Sequence, residues 1–525
     1  MTKKETLFGL IVFSLLFVLI AGFYYDSVLD KGPLNTHMWR QTDCLSMTQN
    51  YSEGGAFLMT EMHCQLADNY TSGYSIGEFP LFYYTVGNIW KWFGKSFSSY
   101  RIFYLIILFS GILAFFRSLQ LIFRQNYWSI TLSILLFTSP VFAVYGVGFL
   151  SDAPAFSCIL IAIYFFIMYQ IRKKNWFFYL CLVFFLIGGL SKISMMIAFI
   201  VLGIVLLLET VTKIKTLGNR QLFQEKWHVW IGFTMVIIGL VSWYAYAEHF
   251  NDIHRFKYTF NHTWPIWKMG ADEIDLWIEG IKNITGPVFF SKPMLLFLVL
   301  GGIYNLFSWK TLPLFAFAVN ALVILGCTLY FILWGPLMRN HDYYYIALVI
   351  LYVGIIPVFL WNLKNKQLRI FNHSITKVTF GLFVLFNVLY CFEVVKLKTL
   401  KQEGKSYFVS NKDFTGLMKW NNWDNSLIRS RYEGMKNYMK EIGVAKEDLI
   451  LSMPDPSFNI SLYLLDHKGW TNFQGYTTSE QIETLREAGA KYLIVSDSAV
   501  LEQSFLHFYI QEPMGEFQGI QIFKL

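Results

Sequence analysis

Charge is what this sequence is short of. Only 15% of its 525 residues are Asp, Glu, Lys or Arg, where a soluble domain carries about 25%. The chain therefore lacks the surface that a water-soluble protein of its length needs, and its apolar composition equally excludes a disordered one. Cysteine is scarce too: six residues are too few for a secreted disulfide framework. Cys158, Cys181, Cys327 and Cys391 sit within apolar runs as core filler, while Cys44 and Cys64 share one loop, a placement compatible with pairing in an oxidising compartment. No Cys-x-x-Cys or His-rich metal spacing occurs. No small-x-small cleavage site follows the apolar run 7–25, which reads as a retained first helix rather than a signal peptide. No internal repeat is visible.

Apolar and aromatic residues fill the space that charge leaves, at 55% and 19% of the chain, with a mean hydropathy of +0.42. Runs of about 20 apolar residues match the hydrocarbon core of a bilayer. Eleven occur, at roughly 7–25, 101–123, 127–149, 153–171, 176–190, 193–211, 229–247, 286–307, 312–334, 343–360 and 378–395. The fifth is short, and Gly188-Gly189-Leu190-Ser191-Lys192 reads as a break that leaves the count open by one or two. This is the pattern of an α-helical polytopic membrane protein.

The balance of 43 basic against 35 acidic residues points to no nucleic acid, because its distribution follows the spans. Lys3, Lys4, Arg124, Arg172, Lys173, Lys174, Lys213, Lys215, Arg220, Lys226, Lys310, Lys364, Lys366 and Arg369 all fall on one alternating set of connections. By the positive-inside rule that set is cytoplasmic. The N-terminus is then inside, and the stretches 26–100, 248–293 and 335–342 are outside.

After Val395 the character changes. Charges become frequent, and strand-like 448–453, 491–496 and 519–525 alternate with helical 458–465 and 479–488. The expected domains are a membrane part, 1–395, with its first outer loop at 26–100, and a small extracytoplasmic α/β domain, 396–525.

Ionisable groups at the membrane boundary are costly, so they are default site candidates. Asp43, Glu78, Arg101, Asp152, Lys192, Arg339, His341 and Asp342 all belong to the outer set of connections. A transporter is expected to hold its site near the midplane, between repeats; this distribution suggests chemistry at the outer membrane–water boundary. The first outer loop, at about 75 residues, is too long for a connector. Its aromatic, amphipathic segments suit helices lying in the interface.

Six short motifs in order carry a resemblance: Trp39-Arg40-Gln41-Thr42-Asp43, Glu78-Phe79-Pro80, Tyr100-Arg101, Asp152-Ala153-Pro154, Ser191-Lys192 and Asn340-His341-Asp342-Tyr343-Tyr344-Tyr345. Together they resemble the GT-C glycosyltransferases, specifically bacterial relatives of the family 39 protein O-mannosyltransferases and the lipid A aminoarabinose transferase. The likeness extends weakly to Asp455-Pro456-Ser457 and Ala490-Lys491-Tyr492. An aromatic often follows the histidine in relatives, so Asp342 is left without a family role. The resemblance implies an inverting transfer of sugar from a polyprenyl-phosphate donor to a glycan, lipid or protein acceptor. The setting it implies is the outer face of a bacterial cytoplasmic membrane.

It implies catalytic roles for Asp43 and Glu78, and contacts to donor phosphate or substrate for Arg40, Arg101, Asp152, Lys192, Arg339 and His341. Arginine's planar fork and lysine's point charge both suit phosphate. Either the acids act alone, or Asp43 and Asp152 hold a divalent cation. Blander roles stand beside these: Asp152 as a helix cap before Pro154, Lys192 as a snorkelling helix end, and Tyr83, Tyr84 and Tyr343 to Tyr345 as an aromatic belt. Asp455 reads as a turn residue. The rival functions are a flippase for a lipid-linked sugar and an O-antigen ligase or polymerase.

Overall fold

The computed structural model describes residues 1–33, 37–223, 226–256, 263–400, 406–423, 430–511 and 513–525. The chain divides into two compact units, each built from three stretches. The first comprises Met1–Leu29, Arg101–Trp243 and His262–Trp420; the second comprises Asp30–Tyr100, Tyr244–Asn261 and Asn421–Leu525.

The first unit is helical. Among the described residues, eight helices are long and apolar enough to cross a membrane, and two bent pairs raise that to as many as ten. Helix 175–191 is apolar but, with 17 residues, shorter. The chain is a multi-pass membrane protein. Large apolar side chains face outward, as on Lys3–Tyr25, where Leu19 is 68% exposed. Inward, aromatic rings interlock: Phe13 stacks on Phe116 at 4.5 Å and Phe17 on Phe137 at 4.8 Å. Helices Asp152–Arg172 and Asn175–Ser191 approach so closely that a Cβ at Gly188 would lie 2.8 Å from Ile159 Cδ1.

Two apolar runs that read as single spans are broken. Asn126–Phe137 meets Pro140–Gly146 at 75°, and Ala271–Phe289 meets Lys292–Phe307 at 87°. Proline drives both breaks, because Pro140 and Pro293 start their helices where no N–H is needed. The groups freed at the breaks find partners within the unit. Ser139 Oγ donates to the Phe289 carbonyl at 2.7 Å, and Tyr390 Oη to that of Pro287 at 2.8 Å. Ser291 bonds Asn387 at 2.6 Å.

The second unit holds a five-stranded mixed sheet ordered β2-β1-β3-β5-β4. The strands are β1 Leu449–Met453, β2 Gly469–Thr471, β3 Ala490–Val495, β4 Gly515–Phe517 and β5 Ile520–Lys524. The first three run parallel and the last two complete the sheet antiparallel. Alternation along the strands fills two cores. Ile450, Ile494 and Ile522 face one side; Leu451, Leu493 and Phe523 face the other. The first loop belongs to this unit. Its residues 63–65 lie along β2, with Gln65 N donating to the Gly469 carbonyl at 2.7 Å and Gly469 N to that of His63 at 3.1 Å. That pairing covers the outer edge of β2. Helix Met38–Ser52 packs on Leu81–Phe93 through Gly87, where a Cβ would lie 2.5 Å from Tyr51 Cβ.

Candidate functional site

Each unit carries its own group of candidates. In the second, the Trp-Arg-Gln-Thr-Asp motif opens helix Met38–Ser52, so Trp39, Arg40 and Asp43 share one helical face. Trp39 packs edge-on against Phe458 at 5.4 Å and Phe473 at 5.6 Å. Arg40 Nη2 lies 2.6 Å from both oxygens of Glu78, a charge-assisted contact that fixes the guanidinium beside the helix.

Asp43 is 1% exposed. Asn459 Nδ2 donates to its Oδ1 at 2.7 Å. Burial pushes the Asp43 carboxyl up to about 7, with Glu78 and Asp455 adding to the rise while Arg40 and Asn459 hold it down. A buried carboxyl poised near neutrality is what a general base requires. The same helix sets Cys44 Sγ 3.4 Å from Tyr83 Oη, and burial pushes that thiol up to about 12. Cys44 and Cys64 are both free and buried. The pairing that their shared loop allowed is not formed.

Asp455 ties the turn after β1 together. Its Oδ1 accepts from Ser457 N at 2.8 Å and Ser457 Oγ at 2.6 Å, and its Oδ2 from Ser461 N at 2.8 Å. In the same unit a cavity of about 430 Å³ opens between Tyr70, Phe256, Phe458 and Phe473, with Arg255 and Gln474 on its wall.

In the first unit Asp152, Lys192 and His341 come together at helix ends, while Arg101 and Arg339 have surroundings of their own. Asp152 starts Asp152–Arg172, and Lys192 follows Asn175–Ser191. Lys192 Nζ lies 3.4 Å from Asp152 Oδ1 and 5.7 Å from the ring centres of Tyr343 and Tyr344. His341 stands edge-on to the same two rings at 5.7 and 6.3 Å. Arg101 is buried, donates to the Val147 carbonyl at 2.5 Å, and lies 4.2 Å above the Phe149 ring. Arg339 ends the turn Gly335–Arg339 and packs its stem and carbonyl on Gly280.

Asp342, which the family pattern leaves without a role, forms a wholly buried ion pair with Lys398 and accepts from Tyr145 Oη at 2.6 Å. Three of the five tyrosines are not part of an aromatic belt, while Tyr84 and Tyr344 are half-buried. Tyr83, Tyr343 and Tyr345 are buried, the last bonded by its hydroxyl to Thr285 at 3.1 Å; a belt would have turned them to the interface. Sequence reasoning missed Asn459, Lys398 and Tyr145. Asn459 lies two residues beyond the Asp455-Pro456-Ser457 segment, and Lys398 sits in the last turn of the final long helix, Ser374–Thr399. Among the described residues, no three His, Cys, Asp or Glu side chains gather as a cation site needs.

Residues 34–259 match the family model of the dolichyl-phosphate-mannose-protein mannosyltransferases, or PMT. This stretch is similar to that family. It contains Arg40, Asp43, Glu78, Arg101, Asp152 and Lys192; Arg339, His341, Lys398 and Asn459 lie beyond it. The crystal structure of ArnT from Cupriavidus metallidurans in the apo state is similar with a TM-score of 0.58 at 10% identity, over 98% of this chain and 97% of that one. Its form bound to undecaprenyl phosphate gives 0.56 at 11%, over 97% of each. The archaeal oligosaccharyltransferase AglB from Archaeoglobus fulgidus, in complex with an inhibitory peptide and a dolichol-phosphate, gives 0.54 at 11%, over 94% and 70%. No curated protein matches. The PMT-like stretch thus sits in a chain with the GT-C fold, as the sequence resemblance implied.

Proposed function

We propose that the protein is an inverting glycosyltransferase that moves a sugar from a polyprenyl-phosphate donor to a hydroxyl-bearing acceptor of the cell envelope. The observation that carries this reading is Asp43. It sits in the opening motif of the PMT-like stretch, nearly without exposure, with its carboxyl held at about 7. Support for the donor class comes from the similar proteins seen with undecaprenyl phosphate and dolichol-phosphate.

Transfer proceeds in one displacement. The acceptor oxygen attacks the anomeric carbon as Asp43 takes its proton, and the bond from that carbon to the phosphate oxygen breaks on the opposite face. Polyprenyl phosphate leaves with the bonding pair, and the anomeric configuration inverts. Arg101, Lys192 and His341 are assigned to the donor phosphate, whose charge grows as it departs. Glu78 acts through Arg40, holding it beside the base. Arg339 is assigned to the donor phosphate as a further cation. The acceptor side faces the exterior of a bacterial cytoplasmic membrane in this reading, and the acceptor is a glycan, a lipid or a protein.

The test is Asp43→Asn, which keeps shape but takes no proton. Membranes carrying each form are supplied with radiolabelled polyprenyl-phosphate sugars, and incorporation into envelope material is measured. The expected loss is about 10²–10⁴-fold, the usual range for a general base. Near-normal incorporation by Asp43→Asn overturns the assignment.

A further inference from the structure

We infer that Asn459, from the C-terminal part of the chain, is a positioning residue for the Asp43 carboxylate, so that the sheet domain completes the catalytic machinery. This rests on the reading of Asp43 as base. The two residues are 416 apart in sequence, yet Asn459 Nδ2 lies 2.7 Å from Asp43 Oδ1 and both are buried. Among the described residues, no other side chain donates a hydrogen bond to that carboxylate.

The amide cannot be turned round without loss. Its Oδ1 accepts from Cys64 N at 3.0 Å, which leaves the NH₂ group to face Asp43. The second N–H direction is taken by Met62 Sδ at 3.3 Å. The backbone beneath it is pinned as well. Asn459 precedes helix Ile460–Leu465 and its carbonyl accepts from Tyr463 N at 2.8 Å. Ahead of it, Asp455 and Ser457 tie the loop after β1 to the same helix start, with Ile460 N donating to Ser457 Oγ at 2.9 Å. A donor held this rigidly fixes the direction of the carboxylate's free lone pairs and favours its ionised form.

The charged and titratable groups around Asp43 come from every element packed on it. Arg40 and Cys44 lie on its own helix, Cys64 and Glu78 on the first loop, and Asp455 on the loop after β1. Both thiols are pushed up by burial, Cys44 to about 12 and Cys64 further. They stay neutral across the working range, so Arg40, Glu78 and Asp455 set the field in which Asn459 acts.

The experiment is the pH dependence of sugar transfer by the full chain in membranes. The unmodified protein should gain activity as pH rises through about 7, a limb that Asp43→Asn abolishes. Asn459→Ala removes a hydrogen bond to the charged form, so the limb should move up by about one pH unit. Activity then falls about ten-fold at pH 6 and little at pH 9. Asn459→Asp is isosteric, keeps an acceptor for Cys64 N, and sets a second carboxylate beside the first. It should move the limb up further, and it covers the case in which the alanine variant fails to fold. A uniform loss at every pH, or an unmoved limb in both variants, overturns the inference. An unmodified protein with no limb that depends on Asp43 overturns the base assignment itself, and with it this role.

Discussion

At the scale of single residues, the second unit places opposing influences on one carboxyl. Burial alone would hold Asp43 protonated, and a protonated carboxyl accepts no proton. Arg40 counters this, but its fork is engaged by Glu78 at 2.6 Å, which tempers its pull. The sign of a change at Glu78 follows. Glu78→Gln removes a negative charge that raises Asp43 and leaves the Arg40 charge less neutralised. Both effects favour the ionised base. The acid limb of transfer should therefore move below 7 by about one unit, opposite to the shift expected for Asn459→Ala. A limb that stays in place or rises in Glu78→Gln would show that Arg40 reorients once its partner is lost.

At the scale of elements, much of the architecture is legible from the chain. The runs 7–25, 153–171 and 193–211 fall on Lys3–Tyr25, Asp152–Arg172 and Ile193–Thr212, because an uninterrupted apolar run has one favourable form in lipid. The strands around Ile450 and Leu493 are equally legible, as short apolar runs buried on both faces. The breaks near Ser139 and Phe290 are not, since apolar residues flank each bend and a hydropathy window averages across it. Strands β2 and β4 span three residues each, too short for any period to show. Asn459 was invisible for another reason: nothing local to it signals a partner 416 residues away.

Lys398 was hidden by its neighbours, because charges become frequent just after the last apolar run and it read as part of a soluble domain. Its burial gives the end of Ser374–Thr399 a task, which is to neutralise Asp342 in the segment that also carries His341 and Tyr343. Removing one partner of such a pair leaves a charge without compensation and costs about 3–5 kcal/mol. Lys398→Met should lower the thermal unfolding midpoint of the detergent-solubilised protein. Lys398→Met with Asp342→Asn should recover more than half of that loss, because Tyr145 still has an oxygen to bond. A single variant as stable as the unmodified chain would show that Asp342 needs no counter-charge.

At the scale of the whole molecule, orientation follows from which helix ends carry which charges. Arg101 lies near the start of Phe97–Phe123 and Arg124 just past its end; Asp152 starts Asp152–Arg172, and Lys173 and Lys174 follow it. Lys192 precedes Ile197–Thr212 while Lys213 and Lys215 come after it, and Arg339 follows Leu314–Trp334 while Lys310 precedes it. Along each helix the candidate site residue and the plain basic cluster occupy opposite ends. Basic clusters stay on the cytoplasmic side, where each Lys or Arg near an anionic leaflet gains about 1 kcal/mol. We propose that the N-terminus is cytoplasmic and that the opposite helix ends, with the C-terminal sheet, face outward. A reporter active only outside the membrane, fused after Leu525, should be active; the same reporter inserted between Thr212 and Lys226 should be silent. The reverse result would invert the orientation, and the assignment of Asp43 to an external acceptor would fall with it.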